Sequence, residues 1–119
     1  MRPDGLWHPR LLQLIAAMGH TDLIVVADAG LPVPPGVETI DLLWRRGEPA
    51  FHPVLDAISA ELVVERAYVA LEAPAAFLPD AERIPHEHLK QLTGRARAVV
   101  RTGEATPYCN VVLQAGVPF

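Results

Sequence analysis

Titratable groups stand on both sides of one unbroken aliphatic run in Gly19-His20-Thr21-Asp22-Leu23-Ile24-Val25-Val26-Ala27-Asp28-Ala29-Gly30-Leu31-Pro32. An imidazole changes charge near neutral pH, so His20 suits a general acid. The same place also suits a histidine at a helix C-terminus, where its charge is mildly favoured. Asp22 can orient the His20 ring or cap the turn, and the cap is the simpler role. Asp28 follows the aliphatic run directly, so its carboxylate must find donors or water. It reads either as a group that holds a ligand or as an Asx-turn closing on Gly30. His86 and Lys90 lie four apart and share a face if their segment is helical. A solvated helix face has the same look. His88, two residues from His86, points nearly the opposite way on a helix, which argues against one metal held by both.

The stretch Arg101-Thr-Gly-Glu-Ala-Thr-Pro-Tyr-Cys-Asn110 is dense in hydrogen-bonding groups. Tyr108 offers a hydroxyl and an aromatic face, and Asn110 offers donors and acceptors together. Sugar hydroxyls need such two-way partners, and an aromatic ring packs against the C–H side of a sugar. The plain alternative is an ordinary loop whose turn is set by Thr106-Pro107. Cys109 has no basic neighbour in sequence, so an activated thiolate is not expected there.

Other chemistries lack their motifs. There is no Gly-x-Gly-x-x-Gly, no Gly-x-x-x-x-Gly-Lys phosphate loop and no Gly-x-Ser-x-Gly elbow. Net charge is −4 and the basic residues are scattered, with Arg95, Arg97 and Arg101 the nearest to a cluster. A nucleic-acid binder needs a basic stripe, so none is expected as a partner. No apolar stretch is long enough to span a membrane, and no secretory leader is expected. The single cysteine excludes an internal disulfide and fits a reducing, cytoplasmic setting. At 119 residues the chain fits one domain. Half of its residues are hydrophobic, which is high for a small monomer, and Val117-Pro118-Phe119 is a poor segment to leave in water. Both features predict apolar surface buried between subunits.

The elements that must position these groups follow from periodicity. Leu11, Leu12, Ile15 and Met18 predict a helix over Pro9 to Met18, with Pro9 in its first turn and Gly19 as its stop. Leu23 to Ala27 reads as a strand covered on both faces. Leu31 to Gly36 holds three prolines and reads as a rigid loop. Val37 to Leu43 reads as a second strand. Phe51, Val54, Leu55 and Ile58 make the apolar stripe of a helix over Phe51 to Ala60. Leu62 to Leu71 is ambiguous, because Glu65-Arg66 interrupts an otherwise strand-like run. Ala73 to Pro85 carries three prolines and cannot be one regular element. A helix is expected over Pro85 to Leu92, and strands over Ala96 to Arg101 and Val111 to Leu113. Helices alternating with strands predict an α/β fold with a mostly parallel sheet. Asp28 then falls beyond the carboxyl end of a strand, where open sheets of this kind bind ligands.

Taken together, Gly19-His20-Thr21-Asp22, Asp28-Ala29-Gly30-Leu31-Pro32 and Arg101 to Asn110 resemble the ribose pyranase and fucose mutarotase family. The ending Val111 to Phe119, with Ala115-Gly116-Val117, is similar as well. Asp-Ala-Gly-Leu-Pro and Thr-Pro-Tyr-x-Asn resemble the ribose pyranase branch. The resemblance implies a single-domain, three-layer α/β/α architecture around a mostly parallel sheet. It implies that His20 is the proton donor and that Asp28, His86, Lys90, Tyr108 and Asn110 line a sugar site. It also implies a cytoplasmic, ring-shaped homo-oligomer, commonly a decamer of two pentamers, with the site near a subunit boundary. The chain departs from the pattern between Ala70 and His86, where the segment is short, proline-rich and without an expected surface helix.

The activity so implied is interconversion of the pyranose and furanose forms of D-ribose, with no metal and no cofactor. Mutarotation of fucose or another sugar is the neighbouring alternative, and a non-catalytic sugar-binding ring protein is the alternative from another class. The isomerase reading expects the His20 imidazole to face a hollow within reach of Asp28, with the Tyr108 loop closing over it.

Overall fold

A computed structural model describes all of residues 1–119. The elements run α1 (Pro9–Ala17), β1 (Leu23–Ala27), β2 (Glu38–Asp41), α2 (Phe51–Ser59), β3 (Val64–Ala70), β4 (Glu82–Ile84), α3 (His86–Thr93), β5 (Ala98–Arg101) and β6 (Val111–Ala115). They build one six-stranded sheet in the order β2-β5-β1-β6-β3-β4. Five strands run the same way; β6 alone is reversed, pairing antiparallel with β1 and β3.

Three layers follow from which faces are apolar. Leu11, Leu14 and Ile15 of α1 and Phe51, Val54, Leu55 and Ile58 of α2 pack on one side of the sheet, against Ile24, Val26, Val100 and Leu113. Leu89 of α3 covers the other side, against Leu23, Val25, Ala27, Val99 and Val112. Alternate residues of β1 therefore enter two different cores, which is why all five of its residues are buried. Each fully buried side chain of this size contributes about 1.5–3 kcal/mol of transfer free energy. Helix α1 starts as expected, with Pro9 in its first turn and the His8 Nδ1 accepting from the Leu11 N–H at 3.1 Å. No helix is long and apolar enough to cross a membrane.

The differences from expectation are local. The second strand is shorter than 37–43, because Val37 is turned back on Pro34 and the Leu43 N–H is taken by the Asp41 side chain at 3.1 Å. The ambiguous segment 62–71 resolves as β3, and its charged interruption is a β-bulge between Val64 and Arg66. The proline-rich segment contains no helix but ends in the three-residue β4. Its loop is held instead by Arg83, whose guanidinium donates to the carbonyls of Ala70, Ala73, Pro74, Ala75 and Phe77. Phe77 anchors the same loop by packing on Phe51, ring centroids 5.1 Å apart.

Candidate active site

The parallel strands β1 and β5 end together, and reversed β6 begins beside them. The loops that leave this edge are Asp28–Pro32 after β1 and Thr102–Asn110 between β5 and β6. They are tied backbone to backbone, the Ala29 N–H donating to the Glu104 carbonyl at 2.8 Å. The Thr102 hydroxyl adds a bond to the Ala27 carbonyl at 2.8 Å. Between the loops and the N-terminus of α3 lies a cleft of about 410 Å³. Asp28, Pro32, His86, Glu104, Tyr108 and Asn110 are among its walls.

Asp28 and Asn110 form its floor. Both are buried, Asp28 at 7 % exposure and Asn110 at 1 %. The Asp28 N–H donates to Asn110 Oδ1 at 2.7 Å, and Asn110 Nδ2 donates to Asp28 Oδ2 at 3.2 Å. Asp28 Oδ1 accepts from the Gly30 N–H at 2.9 Å, so the Asx-turn is real. It does not exhaust the carboxylate, because each oxygen has a second lone pair. The turn and the ligand-holding role thus coexist in one side chain.

Above the floor, the His86 ring meets Tyr108 edge-on, with centroids 5.1 Å apart and planes at 84°. His86 is the first residue of α3, and its Nδ1 is buried with no hydrogen-bond partner in the chain. Tyr108 has a positive φ of 65°, a conformation that costs a non-glycine residue energy and is common where function requires it. Glu104 braces the loop, its Oε2 accepting from the N–H groups of Ala105 at 3.0 Å and Thr106 at 3.3 Å. Lys90, one turn further along α3, pairs with Glu87 at 3.0 Å and is not among the lining residues. Cys109 is buried behind the loop, and burial pushes its thiol up to about 11, which leaves it inert. No group of three or more His, Cys, Asp or Glu side chains could hold a metal ion.

His20 is elsewhere. It lies in the turn before β1, whereas Asp28 follows β1, so the strand itself separates them by more than ~13 Å. Within one chain the imidazole and the Asp28 carboxylate therefore lie at opposite ends of β1. The ring is accessible, its side chain 55 % exposed, so it is not sequestered in a core. Asp22 does not orient it; that carboxylate accepts from the Gly19 N–H at 2.9 Å and pairs with Arg97 at 3.1 Å. The partner of His20 is Glu65, whose Oε2 meets Nε2 at 2.8 Å. Gln114 Nε2 donates to the other oxygen of Glu65 at 2.6 Å. Hydrogen bonds from Gln114 first, and from His20 second, hold the Glu65 carboxyl below its ordinary value. Sequence reasoning overlooked Glu65, Gln114 and Glu104. The charged break in the run 62–71 was the available signal for Glu65.

The chain has well-matched relatives. It is 48 % identical to D-ribose pyranase 1 of Rubrobacter xylanophilus and 51 % identical to a D-ribose pyranase of Paracidovorax citrulli, each match covering all of both chains. The alignment with the first runs over 129 positions, ten more than the 119 residues present here, so that relative has positions this chain lacks. Its fold superposes on Bacillus subtilis RbsD complexed with D-ribose at a TM-score of 0.92, with 42 % identity and full coverage of both chains. It also superposes on the fucose mutarotase of Streptococcus pneumoniae in complex with L-fucose at 0.80, but with 23 % identity over 94 % of each chain, a likeness of fold alone. The model of the RbsD / FucU transport protein family matches residues 1–118, and the chain belongs to that family.

Proposed function

We infer that this chain is an isomerase of the D-ribose pyranase type, interconverting the pyranose and furanose forms of D-ribose. The observation that carries the reading is the cleft at the strand ends. A buried carboxylate and amide fix each other there, and still offer unused lone pairs beside an aromatic face and an unsatisfied imidazole nitrogen. Such a lining suits a small polyhydroxyl ligand, as the D-ribose pyranases that match the whole chain would require. Asp28 and Asn110 hold sugar hydroxyls, Tyr108 packs on the C–H face, and a hydroxyl satisfies His86 Nδ1. Lys90, one turn along α3 from His86, would have to leave Glu87 to reach the sugar.

The reaction needs little from the protein. Protonated His20 delivers a proton to the ring oxygen as the bond from that oxygen to the anomeric carbon breaks. The anomeric hydroxyl loses its proton to solvent and becomes the carbonyl. Reclosure through a different hydroxyl runs the same proton movements in reverse. Ring opening already occurs in water, so an acid–base contribution of about 10²–10⁴-fold suffices. Because one chain keeps His20 away from its own cleft, His20 is supplied by a neighbouring subunit. The assembly is a cytoplasmic homo-oligomeric ring, a pentamer or a decamer, with one cleft at each boundary.

Saturation-transfer NMR on ribose tests this. The parent protein is expected to accelerate exchange between ring forms, and His20→Ala is expected to lose at least a hundredfold of that acceleration. Asp28→Asn is expected to weaken ribose binding so far that no accelerated exchange remains. Ribose binding without accelerated exchange in the parent protein would instead identify a non-catalytic sugar-binding protein. Faster exchange of fucose than of ribose would move the activity to mutarotation of that sugar.

A further inference from the structure

Glu65 is placed by an irregularity. Along β3, Val64 pairs with Ala115 and Arg66 pairs with Gln114, so Glu65 is the extra residue of a β-bulge and has no partner on β6. A bulge of this kind re-aims a side chain and is frequent beside active sites. Room for it comes from Gly116. A Cβ on that glycine would stand 3.1 Å from the Glu65 Cβ and 3.2 Å from Val63 Cγ1, closer than side chains ordinarily pack.

The carboxylate so placed is held from both sides. Tyr68 donates its hydroxyl to Gln114 Oε1 at 3.5 Å, which sets the amide so that Nε2 faces Glu65. Gln114 Nε2 occupies Glu65 Oε1, and Glu65 Oε2 is left for His20. The other charges nearby are already committed. Asp22 is paired with Arg97 at 3.1 Å, and Arg66 with Glu82 at 2.8 Å. An ionised carboxylate only accepts, so His20 Nε2 must carry the proton of that bond. In the neutral imidazole the lone pair is then on Nδ1, and in the cation the proton available for transfer is the one on Nδ1.

We propose that Glu65 is a positioning residue for His20, fixing its ring through Nε2 so that Nδ1 is the nitrogen that exchanges protons with the sugar. The proposal rests on His20 being the acid of the reaction. Glu65 touches no substrate; it selects the tautomer and aims the ring, as carboxylates hydrogen-bonded to histidine do generally.

Kinetics and NMR of the assembled protein test it together. Glu65→Gln is expected to lower kcat for ring exchange at least tenfold while leaving the KM for ribose within about twofold. In a His20→Ala background Glu65→Gln should cost nothing further, because the two act as one unit. The unsubstituted protein supplies a reading that requires no variant: the nitrogen resonances of neutral His20 should report a proton on Nε2. A proton on Nδ1, an unchanged kcat in Glu65→Gln, or an equal loss with His20 absent would each overturn the proposal and leave the pyranase reading standing. An unimpaired His20→Ala would remove that reading itself.

Discussion

At the scale of single residues, the tightest statement concerns Asn110. Its Oδ1 satisfies the buried Asp28 N–H, and its Nδ2 meets the Asp28 carboxylate. Asn110→Ala leaves a buried donor unpaired, which costs about 1–3 kcal/mol, and it frees Asp28 to turn. Urea unfolding should show that loss, and calorimetry should show ribose affinity falling about tenfold or more. Asn110→Asp makes a sharper test because it sets two carboxylates against each other in a buried place. One of them should then titrate well above the ordinary range. A folded pKa raised above the unfolded one gives stability below the unfolded pKa and removes it as pH rises. The variant should therefore be most stable in mild acid and weaken toward neutrality, unlike the parent. Asp28 and Asn110 were each legible as polar groups at the ends of aliphatic runs. That they bond to each other was not, because 82 residues separate them and no local pattern encodes such a pairing.

At the scale of elements, the cleft depends on how one loop lies against another. The Gly47 N–H donates to the Gly103 carbonyl and the Gly103 N–H to the Pro49 carbonyl, both at 2.7 Å. A Cβ on Gly103 would fall 2.3 Å from the Glu48 N and 2.6 Å from its carbonyl carbon. Those are backbone atoms with no flexible side chain to yield. Gly103→Ala must push the 47–49 turn away from the β5–β6 loop. Overpacking and the two strained hydrogen bonds should together cost about 3 kcal/mol. Thermal unfolding should drop by roughly 10 °C. Ribose binding should weaken as well, because Glu104, Tyr108 and Asn110 are carried on the displaced loop. The elements themselves were largely legible. Strand β1 matches its expected bounds because five aliphatic residues between turn formers admit few alternatives. Strand β4 was not legible: three residues beyond a proline-rich loop carry no period, and only pairing with β3 makes them a strand. The bulge at Glu65 looked like an interruption of β3, since sequence alone does not distinguish a break from one unpaired residue.

At the scale of the whole molecule, the proposed reaction needs more than one chain. Its cleft is at one end of the sheet and its imidazole at the other. The order of residues already contained this, since His20 and Asp28 flank the two ends of one strand. Trp7 and Trp44 are exposed at 56 % and 69 %. A symmetric ring in which each boundary joins unlike ends repeats one contact around the axis and completes every cleft the same way. A mixture of two inactive proteins then has a calculable outcome. His20→Ala subunits keep an intact cleft and Asp28→Asn subunits keep an intact imidazole. In randomly mixed rings a cleft works when its wall comes from the first and its imidazole from the second, which is about a quarter of boundaries. Co-expressed, doubly tagged assemblies should recover about that share of the parent exchange rate, while each variant alone stays inactive. Assemblies of confirmed mixed composition that recover nothing would overturn the assignment of His20 to a neighbouring subunit's cleft.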